Sequence, residues 1–357
     1  MSTQLRGPVL LIGCGLIGTS VALALTRAGR QVHLRDLSPQ HAELAQSLGA
    51  GTIAPPTTVE IVVVAVPPAQ VGRTVVDAMA EWPEAVVTDV SSVKIQPLRF
   101  LRESGVDLSG YVGGHPMAGG ERSGPMAASG GLFEGRAWAV TPHEEARPEA
   151  VDLVRALAQV CGASVTVMDP ADHDAAVARV SHLPHLLSVL TAAQLNGSPS
   201  AHLVLSGQGL RDVTRIAASD PALWDEIVRA NADEIALLLR SVRADIDTLL
   251  DGLGGLDGKE GVVSEVLAKG VAGTSLIPGK HGTPERVEAT VFVQVPDQPG
   301  ELARLFSDTE ESGVNIEDLR IDHDLGRPVG VAEVGVRPDS ADHLVTSLTA
   351  KGWEAHR

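Results

Sequence analysis

A histidine set among glycines and a proline, Gly113-Gly114-His115-Pro116-Met117-Ala118-Gly119-Gly120, is the segment of this chain best suited to acid–base chemistry. Glycine lets the backbone approach a ligand closely and proline fixes the turn, so the frame aims the imidazole. His115 is therefore the candidate general base, and a neutral imidazole base predicts activity falling as pH drops through about 6–7. A second group follows near residue 212. Asp212 and Arg215 stand three apart, hence on one helical face, ahead of Ser219-Asp220-Pro221, which stops one helix and starts another. With Trp224 just beyond, this setting favours a partly enclosed carboxylate site over a surface ion pair. A third segment, Ser181-His182-Leu183-Pro184-His185, puts two histidines around a proline. A metal needs three or four ligands, and no nearby Cys or carboxylate cluster supplies them, so no metal is expected. A substrate contact is preferred there over a core or capping histidine.

These residues need elements to position them. About one hundred residues before His115, the apolar run Pro8-Val9-Leu10-Leu11-Ile12 reads as a buried parallel strand. It runs into Gly13-Cys14-Gly15-Leu16-Ile17-Gly18, then a helical pattern over 19–28, then a strand over 31–35 ending at Asp36. Strand, GxGxxG, helix, strand, acid is the order a dinucleotide fingerprint requires. Gly13 makes the tight turn, Gly15 admits the pyrophosphate, and Gly18 allows close packing of helix on strand. Leu16 and Ile17 open the helix whose N-terminus faces the phosphates. Asp36 accepts from a ribose diol and repels a 2′-phosphate, which favours NAD; Arg35 beside it leaves NADP open. Further strands and helices alternate to about residue 168, so a doubly wound parallel sheet is expected. Ligands in such sheets sit beyond the carboxyl ends of the strands, where Val66, Pro67, Ser91 and Ser92 fall.

A net charge of −17 and 3% aromatic residues exclude the basic grooves and stacking rings that nucleic acid requires. No apolar run reaches membrane-span length, and two distant cysteines form no disulfide framework, so a cytoplasmic setting is expected. From about residue 170 the pattern is helical almost without strands. Stretches such as 186–195 and 227–250 carry more Leu, Ile, Val and Ala than a small bundle covers, which predicts a homodimer core.

Taken together, GCGLIG, DVSSVK, GGHPMAGGERSG, SHLPH and TRIAASDPALW occur in the order and rough spacing of the prephenate/arogenate dehydrogenase family, which the chain resembles over nearly its whole length. The resemblance implies hydride transfer from ring carbon 4 of prephenate, or of its amino analogue arogenate, to NAD(P), with loss of the ring carboxylate as carbon dioxide. It implies that His115 draws the proton from the ring hydroxyl and that Ser92 holds either His115 or that hydroxyl. Arg215 would pair with a substrate carboxylate, and His185 would contact the substrate's other end. Asp212 and Glu121 would orient Arg215, while Ser219 and Trp224 match the end of the motif, where a neighbouring subunit would close the pocket. Ser91, where relatives more often have Gly, and Gly120, where they often have a larger residue, depart from the pattern. Other classes weighed are a binding protein that senses NAD or an amino acid without catalysis, and a β-hydroxyacid dehydrogenase. The latter usually carries a catalytic Lys on a helix after the sheet, where this chain offers His and Arg.

Residues 271–286, rich in Gly and Pro, read as a linker. Beyond them, 287–357 follow a βαββαβ order that resembles an ACT domain, with its DQPGEL turn and GVNI segment. Such domains often bind amino acids, so Asp297, Gly300 and Asn315 are candidate effector contacts and tyrosine the expected effector. The organisation expected is thus a Rossmann-type domain (1–168), a helical substrate and dimerisation domain (169–270), the linker and the ACT-like domain.

Overall fold

The computed structural model describes residues 4–119, 124–254, 261–277, 289–322 and 329–357. Glu121 and Gly120 lie outside them, as does the linker from residue 278 on.

Four short apolar strands build a parallel sheet in the order β2-β1-β3-β4: β1 (Val9–Ile12), β2 (Val32–Arg35), β3 (Ile61–Val64) and β4 (Val86–Asp89). Helices α1 (Leu16–Arg27), α2 (Pro39–Ser47), α3 (Pro68–Glu81) and α4 (Ile95–Ser104) alternate with them. All of β3 is buried, and its residues divide by parity: Ile61 and Val63 enter one core, Val62 and Val64 another. A strand covered on both faces must read as a continuous apolar run, which is why these segments lack alternation.

The parallel pattern stops after β4. Strand β5 (Gly113–Pro116), which carries His115, pairs antiparallel with β6 (Ala137–Thr141), and β6 pairs parallel with β7 (Ser164–Val167). A single parallel bridge, Val87 to Tyr111, ties this group to β4. Helix α5 (Pro148–Val160) connects β6 to β7.

Next comes α6 (Pro170–Val177), a π-helical turn over Ala178–His182, and α7 (Leu183–Ala193). Pro184 lacks the N–H that an α-ladder would use, and the chain accommodates it by widening the preceding turn. After α8 (Ser200–Leu203) and α9 (Gln208–Thr214), Arg215 opens a 3₁₀ turn, and α10 (Pro221–Ala230) starts where expected, capped by Asp220 Oδ1 on Ala222 N at 2.9 Å. Helices α11 (Ala232–Gly252) and α12 (Val262–Thr274) complete the helical region. Among the described residues no helix is long and apolar enough to cross a membrane.

The chain forms two compact units, one of residues 1–196 and 214–241, the other of 197–213 and 242–357. Helices α6, α7 and α10 fall in the first unit, and α11 is divided between the two. The expected linker begins too early, because 271–274 still belong to α12, whose Val, Ala and Leu sustain helix despite two glycines. In the second unit the tail forms an antiparallel sheet, β11-β8-β10-β9, from β8 (Ala289–Pro296), β9 (Asp318–Asp322), β10 (Val329–Val336) and β11 (Ala355–His356). With α13 (Glu301–Glu311) and α14 (Ala341–Ala350) it follows the expected βαββαβ order. Alternate residues Val291, Val293 and Val295 of β8 point into a core shared with Leu305 and Leu344.

Candidate active site

The turn after β1 has the shape a dinucleotide needs. Gly13 sits at φ +103°, and a Cβ there would lie 2.3 Å from the Ala65 carbonyl oxygen. A Cβ on Gly18 would lie 1.9 Å from the Gly13 oxygen, whereas one on Gly15 would meet nothing within 4 Å. Two glycines thus serve packing, and Gly15 leaves open space at the uncapped N-terminus of α1, suited to a pyrophosphate. Asp36 accepts from Cys14 N at 2.6 Å and Ser38 N at 2.7 Å, which fixes its carboxylate at the end of β2. Cys14 is buried, and burial followed by the charge of Asp36 pushes its thiol up to about 12, so it stays an inert filler. A cavity of about 490 Å³ is lined here by Gly13, Gly15, Arg35, Asp36, Val66, Pro67 and Glu81. The residues present fit NAD.

Arg35 does not reach freely for a phosphate. Its guanidinium donates to both carboxylate oxygens of Glu81, at 2.6 and 2.8 Å, and this hydrogen-bonded pairing holds the Glu81 carboxyl below its usual range. Each side chain is about two-fifths exposed, so the pair contributes only about 0–1 kcal/mol. NADH should bind more tightly than NADPH in a fluorescence titration, and Glu81→Gln should narrow the gap by up to about fivefold, the equivalent of that energy. A preference for NADPH in the unaltered protein would mean that Arg35, and not Asp36, governs the ribose end.

Behind β5 lies a buried polar network that positions His115. His115 Nδ1 is 2.9 Å from His173 Nε2, and His173 Nδ1 is 2.8 Å from Asp174 Oδ1. Asp174 also accepts the backbone N–H groups of Lys94, at 2.8 Å, and Ile95, at 2.9 Å, and so caps α4. The fully buried Lys94 ammonium donates to Asp89 and, at 2.6 Å, to the Gly114 carbonyl; Tyr111 donates to Asp89 Oδ2 at 2.7 Å. Close packing against this network explains the glycines before His115. A Cβ on Gly113 would lie 2.5 Å from Thr141 Oγ1 and 3.0 Å from Lys94 Cδ, and one on Gly114 would lie 2.9 Å from Asp89 O. Desolvation, then the nearby His173, Lys94 and His182, holds the His115 imidazolium well below its ordinary value of 6.5, so His115 is neutral at pH 7.

Two expectations change at this point. His173, and not Ser92, holds His115; Ser92 is partly exposed on the β4–α4 loop and makes no hydrogen bond among the described residues. Ser91 turns inward, its hydroxyl 2.7 Å from Asp89 Oδ1 and 2.8 Å from Val93 O. Its backbone rather than its hydroxyl is left for a cofactor.

A cleft of about 920 Å³ is lined by Leu16, Gly119, Ser181, His185, Arg215, Ser219 and Trp224, among others. The start of α1, the loop four residues beyond His115 and the arginine turn therefore share one space. His185 stacks on Trp224 with ring centroids 3.4 Å apart and planes 3° from parallel, and burial lowers its pKa. Ser219 donates to the Ile216 carbonyl at 2.9 Å. Asp212 accepts from Gln208 Nε2 at 2.8 Å. Sequence reasoning missed His173, Asp174 and the role of Lys94. The DVSSVK segment held Lys94, and His173 and Asp174 lie four and five residues beyond Asp169, which caps α6; nothing in their spacing to residue 115 signals contact.

A dinucleotide fingerprint whose helix start opens onto a cleft bearing histidine and arginine defines an NAD-dependent dehydrogenase. Residues 21–167 match the nucleotide-binding domain of prephenate dehydrogenase and 169–258 its dimerization domain. The chain belongs to the prephenate dehydrogenase family. A probable prephenate dehydrogenase of Streptomyces niveus is 35% identical over 97% of this chain and 99% of its own length. The prephenate dehydrogenase of A. aeolicus, solved with hydroxyphenyl propionate and NAD+, superposes with a TM-score of 0.68 at 26% identity, covering 78% of this chain and 100% of that one. Arogenate dehydrogenase of Synechocystis gives 0.65 at 26% identity over 75% and 98%.

Proposed function

We propose that the protein oxidises prephenate to 4-hydroxyphenylpyruvate and carbon dioxide, as a step toward tyrosine. The observation that carries this reading is the cleft that joins the α1 start to Arg215 and His185, beyond the His115 strand. Arg215 pairs with a substrate carboxylate, and the stacked His185–Trp224 surface, with Ser219, receives the other end. Glu121 and Asp212 remain candidates for orienting Arg215. Neutral His115 accepts the proton of the ring hydroxyl as hydride leaves carbon 4. Bound NAD supplies the hydride acceptor. Ser92, which makes no hydrogen bond among the described residues, contacts the same hydroxyl. Loss of carbon dioxide then aromatises the ring, and the oxygen recovers its proton. Production of NADH from prephenate with equimolar carbon dioxide tests the reading; NADH from arogenate alone would assign the amino substrate.

The working form is a homodimer in the cytoplasm. Leu250, Leu267 and Val271 on α11 and α12 are each more than 60% exposed in one chain, apolar residues that a second copy covers. The tail is an ACT-like regulatory module that binds tyrosine. Gly300, at φ +95°, opens α13 beside Asp297, so the helix offers free N–H groups to a carboxylate. Asn315 is weaker support, since its amide already donates to Glu317 at 3.2 Å. Tyrosine should inhibit the full chain, and a chain ending at residue 282 should keep turnover while losing the inhibition; a coupling of about 1–3 kcal/mol is typical. Indifference of the full chain to tyrosine, phenylalanine and tryptophan would reduce the tail to a structural appendage.

A further inference from the structure

We propose that His173 and Asp174 act together as positioning residues that fix the tautomer of His115, with the proton on Nδ1 and Nε2 bare to accept from substrate. The inference deepens the reading of His115 as base and rests on it. Its logic is the direction of each hydrogen bond, traced from the one group whose role is set by its partners. Asp174 caps α4: one carboxylate oxygen accepts from Ile95 N, the other from Lys94 N, at the positive end of a ten-residue helix. A carboxylate in that position is an acceptor, so the proton between it and His173 belongs to His173 Nδ1. A neutral imidazole with its proton on Nδ1 has an acceptor at Nε2. That atom faces His115 Nδ1 at 2.9 Å, so His115 Nδ1 is the donor and its own Nε2 carries the free lone pair.

Charge in the surroundings supports the same arrangement. Burial first, and then the Lys94 ammonium on the β4–α4 loop with His182 of the π turn nearby, keeps His115 neutral. His182 cannot compete for the chain of protons. Its Nδ1 is 3.2 Å from Asn231 Nδ2, an amide donor that also holds the Asp174 carbonyl at 2.8 Å. His173 is 1% exposed and Asp174 3%, which makes both too enclosed to touch substrate directly. Their effect passes through His115. A triad whose orienting carboxylate is replaced by an amide loses up to about 10⁴ in turnover because the imidazole adopts the wrong tautomer, and the arrangement here follows that logic with an added imidazole.

The test combines a spectrum with kinetics. Nitrogen-15 NMR of the full-length protein labelled at its 12 histidines, with His115 assigned by loss of its signals in His115→Asn, reports which ring nitrogen is protonated. The expected spectrum shows His115 with a protonated Nδ1 and a bare Nε2. In His173→Leu the two nitrogens should average, and kcat with prephenate should fall at least about tenfold, within the range of general-base effects, while the NADH dissociation constant holds. His173→Gln, whose amide oxygen can still accept from Nδ1–H, should recover part of that loss. Protonation of His115 at Nε2 in the unaltered protein overturns the proposal, as does His173→Leu with undiminished kcat. The unaltered protein's spectrum decides the matter even where His173→Leu does not fold. It is read without substrate, so it stands apart from whether prephenate is the molecule turned over.

Discussion

His115→Asn should bind NADH as the unaltered protein does and lose about 10²–10⁴ of its turnover, the usual cost of removing a general base. Cofactor binding is spared because the fingerprint turn, Asp36 and the cavity beside them are built from β1, β2 and their loops, without His115. The side chain of Asn reaches less far than imidazole and is a poor proton acceptor, so the hydroxyl proton has no destination as hydride leaves. The pH profile carries a second expectation with a definite sign. The working form is neutral imidazole, and burial with the neighbouring His173, Lys94 and His182 holds its pKa well below 6.5. The base form therefore persists as pH falls through 6.5, and the acid limb of kcat/KM lies below that value, lower than the 6–7 that an unperturbed histidine implies. Near-normal turnover in His115→Asn would remove this residue from the chemistry.

Arg215→Ala should raise the Michaelis constant for prephenate about ten- to hundredfold and leave NADH affinity alone. A hydrogen bond to a charged group contributes about 1.5–3 kcal/mol, and a bidentate guanidinium–carboxylate pair stands at the upper end. Arg215 begins the turn between α9 and α10 and lines the same cleft as His185 and Trp224, away from the ribose end of the cofactor cavity. In a chain of net charge −17, a dianionic substrate depends on such local positive charge. Arg215→Lys should recover only part of the affinity, since an ammonium lacks the planar fork. An unchanged Michaelis constant would place the substrate carboxylates elsewhere.

Much of this was legible in the residues because local patterns report local geometry. The GxGxxG turn, the Asp220-Pro221 restart and the βαββαβ tail are each set by neighbours in sequence, through φ, capping and periodicity. The glycines at 113 and 114 were visible too, but their cause was not. They make room for Thr141 on β6 and for Lys94 and Asp89, some twenty residues earlier, a relation that only the packing of β5 between β4 and β6 reveals. The same holds for His173, 58 residues from His115 along the chain and one hydrogen bond away in space. A histidine one residue before an aspartate at the start of a helix looks like ordinary solvated polarity until α6 packs behind β5. The helix face read through Arg215 shows the converse: the α-helix ends at Thr214 and continues as a 3₁₀ turn, a boundary that spacing alone does not mark.

The central claim is that this cleft oxidises prephenate with NAD as acceptor. It is tested most directly by steady-state turnover of the purified full-length protein, supplied in turn with prephenate and arogenate, following NADH by absorbance and carbon dioxide by trapping. The account predicts NADH and carbon dioxide in equal amounts from prephenate, with 4-hydroxyphenylpyruvate as the aromatic product. Failure to form NADH from prephenate, while the protein binds NADH normally, would contradict it.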